Sequence, residues 1–250
     1  MSHAAPTLRE LVRAELSARQ LAAHLGPDPG QVLDVGGGVD ALRLARAGHH
    51  VLVVEPDAER RRTLVLAGGH EPDDVRARVR VEAGVPGRLA DVVGQRRFDV
   101  VTCHAARVLS ASPRDAVVEL CDLVAAGGVV SLVVGNVDGM ALRPATERRW
   151  ADAFDLLASA DDPEPRYVDG SGTAVRAHRL EELASYVAGR RMHVEAWYGV
   201  GLLTDTSTID ERAPEDDDEL GAVLAAEELA GRTDPYRRVA PLLHVVGRRA

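Results

Sequence analysis

The feature that most constrains the fold of this chain is a regular alternation of two kinds of segment between residues 31 and 134. Short runs rich in β-branched residues alternate with segments of helix length. The runs are apolar at successive positions, which is typical of strands buried on both faces of a parallel sheet. The predicted strands are 31–35, 51–55, 79–82, 98–103 and 129–134, and the predicted helices are 39–47, 57–68, 86–94 and 113–125. This order predicts the α/β class.

The remainder of the chain extends the same pattern. An amphipathic helix is predicted within residues 1–26 and another at 178–189, followed by strands at 192–198 and 241–247. Two long connections, 136–177 and 201–240, each contain a helical stripe, and connections of this length usually carry function. We therefore expect a single domain over 1–250, in which both connections form a helical cap over the carboxyl ends of the strands.

Composition excludes several classes of protein. No apolar run approaches the roughly 20 residues of a membrane helix, and the first dozen residues lack the pattern of a secretory signal, so we expect a cytoplasmic protein. Two cysteines, Cys103 and Cys121, are too few for a disulfide framework or a cysteine-built zinc site. The net charge is -9, with the acidic excess in the last hundred residues, which argues against non-specific affinity for nucleic acid.

A glycine triplet follows the first predicted strand. Gly36, Gly37 and Gly38 stand where the strand turns into a helix, and glycine lets the backbone approach a ligand because it has no Cβ. Glu55 ends the second strand, where an acid can accept hydrogen bonds from two ribose hydroxyls. Together these features predict a site for an adenosine-containing cofactor.

Asp34 distinguishes between nucleotide cofactors. It lies two residues before Gly36, where a carboxylate would repel a pyrophosphate but attract a cofactor that carries a sulfonium and an ammonium group. Ala41 stands where a dinucleotide fingerprint has its last glycine, a substitution that some versions allow. S-adenosylmethionine is therefore favoured, and an NAD-dependent reductase is a remote alternative.

The segment Val32 to Gly38 resembles the first motif of the class I S-adenosylmethionine-dependent methyltransferases, acid-x-Gly-x-Gly-x-Gly. Asp34, Gly36 and Gly38 match that motif, whereas Asp40 replaces its last glycine. The resemblance covers most of the chain. It implies a Rossmann-like, mostly parallel seven-stranded sheet with a late sixth and seventh strand, and it implies S-adenosylmethionine as the cofactor.

Within that family, the chain is similar to the bacterial tRNA 5-carboxymethoxyuridine methyltransferases, which form a methyl ester on a wobble uridine. The matching segments are LRELV, LDVGGG, FDVVTCHAARVL, GGVVSLVVGNVDGM and the tail from ELGAVLAAEEL onward. The resemblance implies that Arg9 contacts the cofactor carboxylate and that Glu55 binds the ribose. It further implies that Gly36 and Gly37 hold the methionine part, that His104 lies beside the cofactor, and that the adenine is lined by Gly84, Val85 and Pro86.

The chemistry of methyl transfer requires few catalytic groups. Displacement at a sulfonium depends largely on positioning and water exclusion, and a carboxylate acceptor needs no general base. His104 is the candidate base for a hydroxyl or phenol acceptor, and a satisfied core histidine is its alternative. Asn136 orients the acceptor or closes a turn. Arg176 is the preferred partner for an anionic acceptor, ahead of Arg143 and Arg179.

The remaining hypotheses concern the cap, metals and substrate. The aromatic residues Trp150, Phe154, Tyr167 and Trp197 either fill the core of the cap or stack on an acceptor. No metal-ligand spacing is evident among the histidines, so no catalytic metal is expected.

The favoured function is O-methylation of a carboxylate-bearing acceptor, either tRNA or a small metabolite. A protein that binds S-adenosylmethionine without turnover is the alternative from another class.

Overall fold

A computed structural model describes residues 6–37, 40–109, 112–168, 172–205 and 214–250, apart from the side chain of Ala106. The seven predicted strands are all present within these residues, and two more strands accompany them. The strands are β1 Gln31–Val35, β2 His50–Val54, β3 Val79–Glu82, β4 Phe98–Cys103, β5 Val124–Asn136, β6 Arg166–Val168, β7 Ala174–His178, β8 Met192–Val200 and β9 Leu242–Arg249.

The helices include two short ones that were not predicted, Asp73–Arg76 and Leu142–Thr146, and the rest agree with the predicted ones in position but are mostly shorter. They are α1 Leu8–Ala22, α2 Ala41–Arg46, α3 Ala58–Gly68, α4 Asp73–Arg76, α5 Ala90–Val93, α6 Pro113–Asp122, α7 Leu142–Thr146, α8 Trp150–Ala158, α9 Leu180–Ala188 and α10 Asp217–Ala230. Short 3-10 helices follow β4, at Ala106–Leu109, and β5, at Val137–Gly139. The chain thus has the α/β fold that its alternating pattern predicts.

The strand order of the sheet is β3-β2-β1-β4-β5-β7-β6, and β9 pairs with β5 and β8. Strand β1 pairs in parallel with β2 on one side and with β4 on the other. The order along the chain reverses between β1 and β4, because β2 and β3 lie to one side and β4 and β5 to the other. In open α/β sheets, ligands bind at the carboxyl ends of the strands beside such a switch point.

The chain divides into two compact units. The first unit comprises Met1–Ala22, Val134–Leu180 and Trp197–His244, and the second unit comprises Ala23–Val133, Glu181–Ala196 and Val245–Ala250. The second unit contains the switch point between β1 and β4. The first unit contains both long connections that were predicted to form a cap, and their role as a cap stays a prediction.

The first unit differs from the prediction in two respects. The connection 136–177 was expected to be helical, but it also forms the antiparallel strands β6 and β7. Of the two interpretations of the aromatic residues, filling a core is wrong for two of them, because Trp150 is 66% exposed and Phe154 is 70% exposed. The core beside them is formed instead by Val137, Met140 and Ala177.

No helix in the described part of the chain is long and apolar enough to cross a membrane. Over the same residues, no group of three or more His, Cys, Asp or Glu side chains is arranged to hold a metal ion.

Candidate active site

The turn after β1 requires glycine. Gly36 has a φ of +72°, and a Cβ on it would lie 2.3 Å from Cγ2 of Val108. Its amide donates a hydrogen bond of 2.9 Å to the carbonyl of Val54 at the end of β2. A side chain at this position is therefore excluded both by backbone conformation and by space. The carboxyl ends of β1 and β2 are tied together at this turn.

Asp34 places a carboxylate beneath the same turn. It is buried, and its Oδ1 accepts a hydrogen bond of 3.0 Å from the hydroxyl of Thr102 on β4. A Cβ on Gly37 would lie 3.0 Å from the same oxygen. The negative charge that the sequence predicted thus lies against the glycine turn. Gly38, the third predicted glycine, lies outside the described residues.

Glu55 follows β2 directly and is fully buried. Its Oε1 accepts a hydrogen bond of 2.9 Å from the amide of Asp57. Its Oε2 is also buried and has no hydrogen-bond partner within the described residues. A buried carboxylate oxygen is costly when it is left without a donor. The structure therefore presents unused acceptor capacity at the position that was predicted to bind ribose hydroxyls.

His104, which follows β4, is held at both ring nitrogens. Its Nδ1 lies 2.7 Å from Oδ2 of Asp40 and its Nε2 lies 2.8 Å from Oγ of Ser131. Because a carboxylate only accepts hydrogen bonds, Nδ1 carries a proton and donates a hydrogen bond to Asp40, while Nε2 is engaged with the hydroxyl of Ser131. In this arrangement the ring is fixed in place, and neither nitrogen is available to a methyl acceptor.

Asp40 and Ser131 are two site residues that sequence reasoning missed. Asp40 is the residue that precedes α2, but its carboxylate bonds to His104 and makes no capping hydrogen bond to the helix. Ser131 is fully buried in the apolar strand β5. Each breaks its local pattern, the one by replacing a motif glycine and the other by interrupting a valine-rich run. These two departures from the local sequence pattern are the features that could have identified Asp40 and Ser131 as site residues.

The loop after β3 has the close packing that its glycine indicates. A Cβ on Gly84 would lie 2.6 Å from Cγ1 of Val54 and 2.9 Å from Cγ2 of Val92. Glu119 on α6 accepts hydrogen bonds from the amides of Gly87 and Leu89 and so holds the loop. Val85 is 46% exposed, and Pro86 follows it. A role for the loop in binding adenine stays a prediction.

The predicted residues Arg9 and Asn136 lie in the first unit, where each has internal partners. Arg9 on α1 forms an ion pair of 3.1 Å with Asp205. The amide of Asn136 donates to the carbonyls of Arg238, at 2.8 Å, and Ala240, at 2.7 Å. Its Oδ1 accepts from the amide of Asp138. Asn136 therefore closes a turn, as its alternative interpretation expected.

Arg176, the preferred partner for an acceptor, is buried on β7. Its guanidinium donates to the carbonyl of Pro163 at 3.0 Å and lies 3.8 Å from Glu164. Arg143 bonds to Glu147 and lies 3.6 Å from Asp205, and Arg179 lies 3.3 Å from Asp161. These contacts give each arginine a partner within its own unit, and the roles of the three toward an acceptor stay predictions.

The chain is similar in fold to solved methyltransferases. The glycopeptide N-methyltransferase MtfA matches 95% of this chain and 90% of its own, with a TM-score of 0.57 and 12% identity. Further structures of MtfA are complexes with S-adenosylmethionine, S-adenosylhomocysteine or sinefungin. The CcbJ methyltransferase from Streptomyces caelestis matches 96% of both chains, with a TM-score of 0.59 and 16% identity.

An S-adenosylmethionine-dependent methyltransferase from Mesorhizobium loti matches 94% of this chain and 98% of its own, with a TM-score of 0.58 and 14% identity. No protein-family model matches the chain, and no curated protein matches it. At such identities the likeness concerns the fold. The fold of this chain is that of the class I S-adenosylmethionine-dependent methyltransferases.

Proposed function

We propose that this protein is an S-adenosylmethionine-dependent methyltransferase that esterifies a carboxylate on its acceptor. The observation that carries the cofactor assignment is the pairing of the Gly36 turn with the buried carboxylate of Glu55, one oxygen of which has no hydrogen-bond donor within the described residues. A ribose offers two hydroxyl donors to such a carboxylate. The similar fold of structures that bind this cofactor adds support.

The residues of the second unit fit the parts of the cofactor. Gly36 and Gly37 would hold the methionine part through their backbone, and a Cβ at either position would meet a neighbour at 3.0 Å or less. Asp34 supplies negative charge for the sulfonium and ammonium groups. Glu55 would bind the ribose, and the loop that contains Gly84, Val85 and Pro86 would line the adenine.

When bound, the cofactor supplies an electrophilic methyl group on a sulfonium. The contribution of the protein is to hold the acceptor in line with that group and to exclude water. His104, held by Asp40 and Ser131, gives the end of β4 a fixed shape. The thiol of Cys103 is also unreactive, since burial raises its pKa to about 12.

The hydrogen bonds at both ring nitrogens of His104 favour an acceptor that is already a nucleophile. A hydroxyl or phenol acceptor would need a base, and both nitrogens of His104 are engaged. A carboxylate is ionised at neutral pH and attacks through its oxygen without losing a proton. This chemistry supports the carboxylate acceptor that the resemblance to the tRNA carboxymethoxyuridine methyltransferases implies.

The acceptor molecule that we favour is tRNA carrying a carboxymethoxyuridine, and the reaction would then occur in the cytoplasm. A small metabolite with a carboxylate is the second candidate, because the net charge of -9 does not favour a polyanion. The proposal includes a single methyltransferase domain over residues 1–250. Methylation assays with the two acceptors separate the candidates.

Replacing Glu55 with alanine tests the cofactor site. The variant should bind S-adenosylhomocysteine more weakly by about 1–3 kcal/mol, because charge-assisted hydrogen bonds to the ribose are lost. Isothermal titration calorimetry measures this difference directly. Glu59→Ala is the matched control, since Glu59 is an exposed acid on α3, and it should leave the affinity unchanged. Equal affinities for Glu55→Ala and the wild type would refute the site.

A further inference from the structure

Glu55 is inaccessible in this structure, although the proposed function requires a ligand to reach it. Its side chain is only 1% exposed. A ribose hydroxyl cannot donate to a carboxylate that solvent does not reach, so some group must move before the cofactor binds. The structure identifies a charged group beside the unsatisfied oxygen of Glu55.

That group is the guanidinium of Arg107, on the 3-10 helix after β4. Its Nη2 lies 3.6 Å from Oε2 of Glu55 and donates a hydrogen bond of 3.2 Å to the carbonyl of Gly36. One cation therefore bridges the ends of β1 and β2. Its distance from Oε2 is that of an ion pair but is too long for a hydrogen bond. Arg107 compensates the charge of Glu55 without satisfying its acceptor oxygen.

The same helix also covers the glycine turn. Cγ2 of Val108 occupies the space into which a Cβ of Gly36 would project. The segment is anchored by Leu109, which is fully buried, whereas the side chain of Arg107 is 36% exposed. Arg107 can therefore swing into solvent without disturbing the core. Both predicted contact points of the cofactor, the turn and the acid, are covered by neighbouring residues of one short segment.

We propose that Arg107 occupies the ribose position in the ligand-free protein and competes with the cofactor for Glu55. This inference rests on the proposed function. Ribose hydroxyls donate short hydrogen bonds to the carboxylate, which Arg107 does not, so the cofactor displaces the arginine. Arg107 thereby lowers cofactor affinity, and its removal strengthens binding.

Calorimetric titration of S-adenosylhomocysteine into the wild type and a set of variants tests this competition. Arg107→Ala should bind about three- to fivefold more tightly than the wild type, which is the upper part of the range expected for removing a partly exposed ion pair. In a Glu55→Gln background the same change should alter the affinity less than about twofold, because the competitor has lost its charged partner. Arg107→Gln, which keeps most of the side-chain length, should behave like Arg107→Ala.

Arg97→Ala is the matched control, because Arg97 precedes β4 and bonds to backbone carbonyls of its own segment. Its affinity should equal that of the wild type. Melting temperatures of all variants establish that they are folded. Unchanged or weaker binding by both Arg107 variants would overturn the inference but leave the proposed function standing. Failure of the wild type to bind S-adenosylhomocysteine would overturn both.

Discussion

Replacing Gly36 with alanine should abolish measurable cofactor binding, with an affinity loss of at least about 100-fold, or roughly 3 kcal/mol. The φ of +72° is strained for any residue with a Cβ. In addition, the new Cβ would lie 2.3 Å from Cγ2 of Val108. Displacing Val108 would leave the Cβ on the turn that we propose holds the methionine part of the cofactor. Calorimetry with S-adenosylhomocysteine measures the loss.

Gly127 provides a control that separates strain from obstruction. Its φ of +74° is nearly the same, but the described part of the chain has no atom within 4 Å of the position of its Cβ. Gly127→Ala should therefore cost about 1–2 kcal/mol of stability through backbone strain alone, with cofactor affinity unchanged. If Gly36→Ala bound as well as Gly127→Ala, the turn would not be part of the site.

Removing His104 should destabilise the protein by about 2–4 kcal/mol, because the buried carboxylate of Asp40 then loses its partner. Asp40 is 6% exposed, and the described residues provide no hydrogen-bond partner for its Oδ1. His104→Ala would leave the whole carboxylate uncompensated in a site closed to solvent. Urea unfolding followed by circular dichroism measures the difference in the free energy of unfolding.

A double-mutant cycle identifies the cause of that loss. Asp40→Gly restores the glycine of the methyltransferase motif and removes the buried charge. In that background, His104→Ala should cost about 1 kcal/mol or less, so the coupling between the two residues is large and favourable. Additive losses would show that His104 stabilises the protein through packing rather than through Asp40. The departure from the motif at Asp40 would then have no compensating partner.

The central strands were predictable because their burial leaves a continuous pattern in the sequence. Strand β1, for example, is buried at four of its five residues, and its run of apolar residues needs no tertiary information to be recognised. Strand β6 is only three residues long, and two of these are exposed. Such a strand has no hydrophobic period of its own, because it forms only by pairing with β7.

The site was predictable where a residue type has one physical explanation. Glycine at a strand end and an acid at the next strand end indicate a ligand whatever surrounds them. The engagement of His104 and the position of Arg107 were not predictable in this way. Arg107 meets Gly36 and Glu55 only because the sheet brings three strand ends together, across separations of 71 and 52 residues. A local sequence pattern cannot predict contacts between residues so far apart in the chain.

Transfer of a tritiated methyl group from S-adenosylmethionine tests the central claim most directly. Purified protein is incubated with tRNA or with small-molecule extract from a strain that lacks this gene, and the labelled product is treated with mild alkali. Hydroxide cleaves a methyl ester to the carboxylate and volatile methanol, whereas a methylated nitrogen or an ether keeps its label. We predict label in one of the two fractions that alkali releases as methanol. Label that resists alkali would contradict the carboxylate acceptor, and the absence of label from both fractions would contradict methyl transfer.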